Sequence, residues 1–380
     1  MADIPDTHVL AIASHVTYGY VGNTMATFVM QCLGCEVSAI NTVNFSNHTA
    51  YRQVKGRKTP WEEVEELYEG LKQSGLNDFD MMLSGYCPTA EVVGQVGKIA
   101  REKKLAAATK PGSFFWVLDP VMGDNGKIYV QEDTVPAYKG LLKDADLILP
   151  NQFEAELLSG VEIKDEESLA KAIQVLHIQH RTPHIIITSV RFGEDANQLS
   201  IIGSSAKSDM SPRLFKLTTE ALPVFFSGTG DMFAALMVAR LREACSKADL
   251  LTKSSWQSPD DVSAEELPLA QATEKVLASM HAVLEKTMRA REIEVEVMEQ
   301  EVHGQEDSEK KKHLRLTKAA EVRVVKNVKD LISPPETADF KAVPLGKAAE
   351  VEVDLKPEAD ELGVVKTGLG GGEDGAVHQT

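Results

Sequence analysis

The feature that most constrains the fold is an alternation of two kinds of segment along the first half of the chain. Six short apolar runs, rich in β-branched residues, are separated by stretches with helical periodicity. The runs are 8–14, 36–43, 80–84, 113–119, 146–151 and 184–189. Continuous apolar runs of this length are typical of strands buried on both faces of a parallel sheet. The alternation therefore predicts a doubly wound α/β fold, with a mostly parallel central sheet flanked by helices.

The stretches between these runs carry helix signals. In TPWEEVEELYEGLKQ, Thr59 is the expected N-cap, Pro60 the first helical residue and Glu62 the capping-box acid, ahead of an apolar face. The same periodicity predicts further helices between the strands. These are 90–104, 152–160 and 166–180.

After residue 189 the alternation gives way to another pattern. Segments 199–205 and 213–221 are typical of an antiparallel pair of strands. Residues 224–226 favour a short strand, and a helix that starts within 229–231 follows it. A long helix follows Pro268, and the alternating piece 321–331 favours a last strand.

Composition bounds the domain organisation. The chain has 380 residues, of which 43% are hydrophobic, and this is enough for a large core. From residue 346 the sequence becomes acidic and then glycine-rich, with little to bury. We therefore predict one domain over 1–345 and a disordered tail over 346–380.

The charge balance disfavours several classes of partner. The formal net charge is -17, and a strongly acidic chain binds nucleic acid and anionic membranes poorly. The N-terminus has no basic, apolar signal segment, and no run approaches the roughly 20 apolar residues that a membrane span needs. The sequence indicates a cytoplasmic protein that could also enter the nucleus, in which any phosphate site is built locally from backbone N–H groups and metal.

Small or polar residues follow every predicted strand. Ligands of open parallel sheets bind beyond the carboxyl ends of the strands, so these residues predict a polar cleft, although turns favour the same residue types. They are Ser14 and His15, 44–46, 84–86, Asp119, Asn151, Thr188 and Ser189, and 227–231.

The stretch VFFSGTGDMFAALMVA interrupts an apolar segment with two glycines, two hydroxyls and one carboxylate. Gly228 and Gly230 permit a sharp turn, and the free N–H groups of the following helix form an anion site. The helix N-terminus is expected to keep Asp231 ionised. An anion cradle beside a carboxylate suits phosphoryl transfer to an alcohol, whereas the alternative is a plain N-cap aspartate. A Walker A loop and the protein-kinase motifs are absent from the sequence.

Six segments, in order, carry a family resemblance. The SGTGD loop with its apolar helix resembles the G-x-G-D loop of the ribokinase-like superfamily, and together the segments closely resemble pyridoxal kinases over about residues 8–345. The segments are SHVTYGYVGN, NFSNHTAY, LSGYCP, DPVMGDNGKIYV, PNQFEAELLSG and FFSGTGDMFAA. The resemblance implies an ATP-dependent kinase that phosphorylates the 5′-hydroxymethyl group of pyridoxal, pyridoxine and pyridoxamine, the B6 vitamers, and gives pyridoxal 5′-phosphate from pyridoxal.

The resemblance also assigns the substrate residues. Ser14 and Thr49 would contact the substituents of the pyridine ring, and Val21 and Tyr86 would close the pocket around it. Asp231 would be the catalytic base, with Gly230 beside it.

For the nucleotide and metals, the resemblance implies bound ATP with Mg²⁺, a monovalent cation (K⁺ or Na⁺) and a homodimer. The N–H groups of 228–230 would form the anion hole, and the piece after Asp124 would act as a flap. The implied nucleotide residues are Asp124, Asn151, Glu154, Thr188, Ser189, Leu222, Val224, Gly228 and Thr229. The implied metal residues are Asp119, Asp124, Glu154 and Thr188.

Two departures from the family pattern stand out. Leu149 occupies a position that is often Thr, which bears on cation dependence, and the loop between Asp124 and Tyr129 is short. Two alternative functions stay open, a hydroxymethylpyrimidine kinase and a non-catalytic vitamin-binding regulator. The presence of Asp231, its glycines and the N-x-x-E pattern of Asn151 and Glu154 argues against the regulator.

Overall fold

The computed structural model describes residues 4–124, 126–192, 198–301, 309–335 and 339–346. The strands are β1 His8–Val16, β2 Glu36–Phe45, β3 Gly56–Lys58, β4 Met81–Ser84, β5 Phe115–Leu118, β6 Gly123–Asp124, β7 Lys127–Ile128, β8 Leu147–Ile148, β9 His184–Val190, β10 Gln198–Ser205, β11 Leu214–Glu220 and β12 Val343–Pro344. The helices are α1 Gly22–Cys32, α2 Trp61–Gln73, α3 Ala90–Ala107, α4 Thr134–Lys139, α5 Gln152–Ser159, α6 Glu166–His180, α7 Thr229–Lys247, α8 Pro268–Glu301, α9 Glu309–Ala319 and α10 Val328–Ile332.

The central sheet confirms the predicted fold class. Its order is β12-β11-β10-β9-β8-β5-β4-β1-β2-β3, and a separate two-stranded hairpin joins β6 and β7. The strands β2, β1, β4, β5, β8 and β9 run parallel, while β3 at one side and β10, β11 and β12 at the other are antiparallel. All six parallel strands fall on the six apolar runs, so their carboxyl ends meet at one edge of the sheet.

The apolar runs are continuous because both faces of the sheet are covered. In β1, Val9 and Ala11 enter the core that includes α1, α7 and α8. The intervening Leu10 and Ile12 enter the core that includes α2 to α6. All four side chains are fully buried, and successive side chains of a strand point to opposite faces. A parallel strand between two helical layers therefore has no polar face.

Two predicted strands are wrong. Residues 224–226 form no strand but an extended loop, in which Phe225 is 74% exposed. The piece 321–331 is a turn that leads into α10. Its alternation arises because Val322 and Val324 are buried in a helical core rather than in a sheet.

One capping prediction is also wrong. Pro60, not Thr59, is the N-cap of α2, and no side chain caps this helix. The Thr59 hydroxyl is buried without a hydrogen-bond partner in the part of the chain that the structure describes. The Thr59 backbone N–H instead donates to the Thr42 carbonyl, 2.9 Å away, so sheet pairing has displaced the cap.

The predicted tail, apart from its first residue, lies outside the described residues. Of the helices described here, none combines the length and the apolar character that a bilayer crossing would require.

Candidate active site

One large cleft of about 1230 Å³ lies along the carboxyl edge of the parallel strands. Each predicted group of polar residues after a strand contributes to it. Every site residue predicted from the sequence also lines it: Ser14, Val21, Thr49, Tyr86, Asp119, Asp124, Asn151, Glu154, Thr188, Ser189, Leu222, Val224, Gly228, Thr229, Gly230 and Asp231. The structure therefore brings together residues that are as far apart in the sequence as Ser14 and Asp231.

The loop before α7 shapes the centre of the cleft. Gly228 is the N-cap, with a left-handed φ of 85°, and no side chain caps the helix. A Cβ on Gly228 would lie 2.1 Å from the Tyr20 carbonyl oxygen, so only glycine fits. The first N–H groups of α7 are thus left without a side-chain acceptor, which suits an anion. Gly230 differs, because its surroundings are open and its φ is not positive.

Asp231 lies in the first turn of α7 and is partly buried. Burial raises its pKa to about 6, although a hydrogen bond from the Gly22 backbone N–H opposes the rise. Loss of solvent therefore opposes ionisation, and the expectation that the helix N-terminus keeps Asp231 ionised stays a prediction. A carboxylate with a pKa near 6 is still mostly ionised at pH 7 and is a better proton acceptor than an exposed aspartate.

Gly22 is a site residue that the sequence analysis missed. It is the first residue of α1, and its φ is 54°. A Cβ there would lie 2.1 Å from the Ser14 carbonyl oxygen and 2.2 Å from Ser14 Oγ. Gly22 therefore lets α1 start directly against the end of β1, and this contact places its N–H beside Asp231.

Carboxylates crowd the floor of the cleft. Asp119 follows β5 and is 8% exposed. Its pKa is raised well above the usual range by burial, and further by the carboxylates of Glu154 and Asp231. Such crowding favours the binding of a divalent cation, because the cation offsets the repulsion among the buried carboxylates. Within the described ranges, no group of three or more His, Cys, Asp and Glu has the spacing of a protein-only metal cage. The predicted ion, Mg²⁺, keeps water and substrate phosphates as ligands and does not require such a cage.

Asn151 and Glu154 form a capping box at the start of α5. Asn151 Oδ1 accepts from the Glu154 N–H at 2.9 Å, and Glu154 Oε2 accepts from the Asn151 N–H at 2.9 Å. Glu154 Oε1 also accepts from the Met122 N–H at 2.8 Å, and Asn151 Nδ2 donates to the Gly123 carbonyl at 2.8 Å. Burial raises the pKa of Glu154 to about 7. The N-x-x-E pattern thus supports both a helix and the hairpin of β6 and β7.

The two ends of the cleft differ in character. At one end, Ser14 lies two residues before the end of β1, in the same wall as Val21 and Tyr86, and a 3-10 turn at Thr49–Tyr51 closes the wall. At the other end, Ser189 adopts a left-handed φ of 54° after Thr188, and Leu222 and Val224 provide apolar surface.

Several lining residues gave no sequence signal of their own. His48 adjoins the predicted Thr49, Tyr129 extends from the hairpin, and Phe225 lies in the exposed loop. Others project from α8: Leu277, Met280 and Leu284, which belong to its apolar stripe in the sequence, and His281. Only the packing of α8 against α7 brings them to the cleft.

Comparison with known proteins identifies the family of this chain. The phosphomethylpyrimidine kinase family matches residues 62–255. The pyridoxal kinase of Sus scrofa is 36% identical over 297 residues, covering 75% of this chain and 84% of that protein. The pyridoxal kinase of Homo sapiens is 34% identical over 296 residues, covering 75% and 86%.

A solved structure extends the match to nearly the whole chain. The pyridoxal kinase of Leishmania donovani in complex with ADP and pyridoxamine superposes with a TM-score of 0.71 at 31% identity, covering 90% of this chain and 100% of that one. The sheet order and the cleft define a small-molecule kinase of the ribokinase-like class. Within that class, the chain belongs to the pyridoxal kinase family.

Proposed function

We propose that this protein transfers the γ-phosphoryl group of ATP to the 5′-hydroxymethyl group of pyridoxal, and also of pyridoxine and pyridoxamine. The product from pyridoxal is pyridoxal 5′-phosphate. The observation that carries the proposal is the position of Asp231, a partly buried carboxylate with a raised pKa at the uncapped N-terminus of α7. Identity to pyridoxal kinases over three quarters of the chain supports the substrate class.

Asp231 is the proposed catalytic base. As the substrate oxygen forms its bond to the γ-phosphorus, the bond from that phosphorus to the bridging oxygen of ADP breaks, and the hydroxyl proton passes to the carboxylate. Because the transition state is loose, the proton can move late, and a base with a pKa near 6 suffices. The N–H of Gly22 keeps the carboxylate oriented.

Backbone N–H groups take the developing negative charge in this mechanism. Gly228, Thr229 and Gly230 would face the transferring phosphoryl group, since no side chain of the protein caps α7. Donors held in place by a helix need no reorganisation during the reaction.

We assign the pyridoxal ring to one end of the cleft and the nucleotide base to the other. Ser14 and Thr49 would contact ring substituents while Val21 and Tyr86 cover the ring faces. The apolar Leu222 and Val224, with the α8 side chains, suit a purine base. The nucleotide phosphates would then extend along a polar wall formed by Asp124, Asn151, Glu154, Thr188 and Ser189.

The acidic floor is the proposed Mg²⁺ site, held by Asp119, Asp124 and Glu154 with waters and phosphate oxygens. When bound, the ion neutralises phosphate charge. A monovalent cation, K⁺ or Na⁺, would lie near Thr188. Leu149 has no side-chain oxygen to offer and is 4% exposed, so only its backbone carbonyl could serve that cation.

Three wider expectations belong to the same proposal. The protein acts as a homodimer, it works in the cytoplasm with access to the nucleus, and residues 346–380 form a tail outside the kinase domain. Comparing the full chain with a version ending at residue 345 tests the last point, with unchanged turnover and thermal midpoint expected.

The test of function offers purified protein and Mg-ATP two acceptors in parallel, pyridoxal and a hydroxymethylpyrimidine. The second acceptor is included because the family that matches residues 62–255 is described by a pyrimidine substrate. We expect phosphorylation of pyridoxal at much higher kcat/KM. Phosphorylation of the pyrimidine alone would reassign the substrate, and binding without turnover of either acceptor would indicate a non-catalytic regulator.

A further inference from the structure

A carboxylate outside the strand-end residues reaches the substrate end of the cleft. Glu321 follows α9, about 270 residues after the 3-10 turn in the sequence. Its Oε1 accepts from Tyr51 Oη at 2.8 Å and pairs with His48 Nε2 at 2.9 Å. We call residues 46–52 the substrate turn and residues 309–323 the C-terminal arm. Glu321 thus links these two segments through a single oxygen.

The link is well shielded from solvent. The side chains of His48 and Glu321 are 10% and 15% exposed. On the other side of the carboxylate lies Gly19, where a Cβ would be 2.7 Å from Glu321 Oε2. A hydrogen bond to a charged group in such a place contributes more than one at an open surface. The pKa of Tyr51 is raised by burial and by Glu321, so Tyr51 remains a hydrogen donor.

The same carboxylate fixes the ring of His48. An ionised carboxylate only accepts, so Nε2 of His48 carries the hydrogen, and in the neutral ring Nδ1 is left as an acceptor. Nδ1 is buried and has no hydrogen-bond partner among the described residues. His48, Thr49 and Ala50 all line the cleft. Glu321 therefore determines how the turn is oriented towards the cleft, and it leaves Nδ1 of His48 as the ring nitrogen that is free to accept a hydrogen bond.

A second contact from the arm acts in the same direction. His313 Nε2 donates to the carbonyl oxygen of Ala50 at 2.9 Å. Apart from the arm, the substrate turn is held by local bonds, such as Asn47 Nδ2 to the Gln53 carbonyl at 2.8 Å, and at its first residue by the Tyr18 N–H, which donates to the Ser46 carbonyl at 3.0 Å. Its outer face consequently depends on the C-terminal arm for its position.

We propose that Glu321 is a positioning residue for the acceptor substrate, holding the substrate turn closed and setting the tautomer of His48. This inference rests on the proposed function, because it concerns the acceptor end of that cleft. Among the described residues that line the cleft, Glu321 is absent while His48, Thr49 and Ala50 are present, so the effect should reach the pyridoxal site through the turn.

The kinetic test uses Glu321→Ala and Glu321→Gln. Glu321→Ala removes the hydrogen bonds from both Tyr51 and His48. Its KM for pyridoxal should therefore rise about ten- to hundredfold, the scale of hydrogen bonds to a charged group. KM for ATP should stay within about twofold, since Leu222 and the α8 residues are untouched. Gln keeps an acceptor oxygen, so it should recover most of the loss. An unchanged KM for pyridoxal in Glu321→Ala would overturn the proposal.

Glu294→Ala is the matched control. Glu294 lies on α8 and pairs with Arg323 of the arm, with Oε1 2.7 Å from the guanidinium. Among the described hydrogen bonds and ion pairs, none joins Glu294 to the substrate turn. It should leave KM for both substrates unchanged. An equal rise in KM for pyridoxal in this variant would show that general loosening of the arm, not the Glu321 carboxylate, is responsible.

A readout without catalysis separates this inference from the proposed function. Arg52 is exposed at the end of the substrate turn, so trypsin can report on the turn. Cleavage after Arg52 should be more than about tenfold faster in Glu321→Ala than in wild type or Glu294→Ala, because local opening governs cleavage. If wild-type protein fails to phosphorylate pyridoxal, the proposed function is lost, and equal cleavage rates would independently refute the role of Glu321. Should Glu321→Ala not fold, Glu321→Gln combined with Tyr51→Phe gives the same comparison.

Discussion

The two edges of the parallel sheet both bury ionisable side chains, but they satisfy them differently. At the amino edge, Asp146 is 2% exposed, and its oxygens accept from Lys104 Nζ at 2.7 Å, the Trp116 N–H at 2.7 Å and Ser255 Oγ at 2.6 Å. At the carboxyl edge, burial raises the pKa of both Asp119 and Asp231, and the carboxylates of Glu154 and Asp231 raise that of Asp119 further. The buried charge at the amino edge is compensated by protein partners, whereas the carboxylates at the carboxyl edge would gain stability from a bound cation, as the proposed function requires.

Two buried histidines complete the contrast at the amino edge. His177 contacts the Thr182 carbonyl at 2.6 Å and Ser204 Oγ at 2.8 Å. His184 contacts Ser205 Oγ at 2.7 Å and the Ser255 carbonyl at 2.7 Å. Both ring nitrogens of each residue therefore have protein partners. Buried polar groups with a full set of hydrogen-bond partners help to specify the fold. Buried charged groups in a cleft that lack such compensation often indicate a functional site.

The largest expected effect is a loss of turnover when Asp231, at the centre of the carboxyl edge, is replaced. Asp231→Asn keeps the size and a hydrogen-bond acceptor for the Gly22 N–H but removes the base. Turnover should fall by about 10²–10⁴, the usual contribution of a positioned acid–base group. Steady-state kinetics at saturating pyridoxal and Mg-ATP measures this.

The same variant should not destabilise the fold. A raised pKa means that ionised Asp231 lowers the stability of the folded state at pH 7, so Asn should raise the free energy of unfolding by roughly 1–2 kcal/mol after discounting for partial exposure. Near-wild-type turnover, or a large drop in urea stability, would contradict the role given to this carboxylate.

The next effect concerns acid stability at the amino edge. Burial lowers the pKa of both His177 and His184 to about 4, below an ordinary value of about 6.5. Above pH 6.5 both are neutral whether folded or unfolded, and as the pH falls from 6.5 towards 4 the unfolded chain takes up protons first. Each histidine should therefore reduce the free energy of unfolding by about 2 kcal/mol at pH 5.

Urea titrations of wild type and His177→Gln at pH 7 and pH 5 measure the share of His177. The variant should lose less stability between the two pH values than wild type, by about 2 kcal/mol. Equal pH dependence in the two proteins would show that His177 is not buried as a neutral ring.

A pair of glycine variants sharpens the comparison at the start of α7. Gly228→Ala places a Cβ 2.1 Å from the Tyr20 carbonyl at a φ of 85°, so it should lower the free energy of unfolding by about 2 kcal/mol and weaken ATP binding. Gly230→Ala meets nothing within 4 Å and should change stability by at most about 1 kcal/mol, in the favourable direction expected for a helix. Thermal unfolding with and without Mg-ATP compares them, and similar losses in both would contradict the assigned backbone geometry.

The smallest effect is expected from two capping-box residues, one inside the cleft and one outside it. Asn151→Ala and Asp165→Ala each remove the N-cap of a helix, α5 and α6, and each should lower stability by about 1 kcal/mol. Only Asn151 also bonds the hairpin through the Gly123 carbonyl, so only Asn151→Ala should raise KM for ATP. A rise in both variants would indicate that lost stability alone causes it.

The sequence by itself determined the class of fold and the edge at which ligands bind. Apolar runs such as β1 must be covered on both faces because they offer no polar face, and alternating helices provide that cover. Once the strands are parallel, the polar residues at their carboxyl ends must share one edge, which is why Ser14, Asp119 and Asn151 could be grouped from the sequence. Asp231 follows no strand, and its place in the cleft depends on the loop before α7.

Only the tertiary structure decided the contacts that depend on packing between distant segments. The alternation in 321–331 could not reveal that Val322 faces a helical core, nor that Glu321 reaches the substrate turn. Asp231 has its raised pKa because α1 and α7 converge around it through Gly22 and Gly228, and desolvation depends on everything packed nearby. Local pattern specifies which elements form, but the dielectric environment of a side chain is a property of the whole assembled fold.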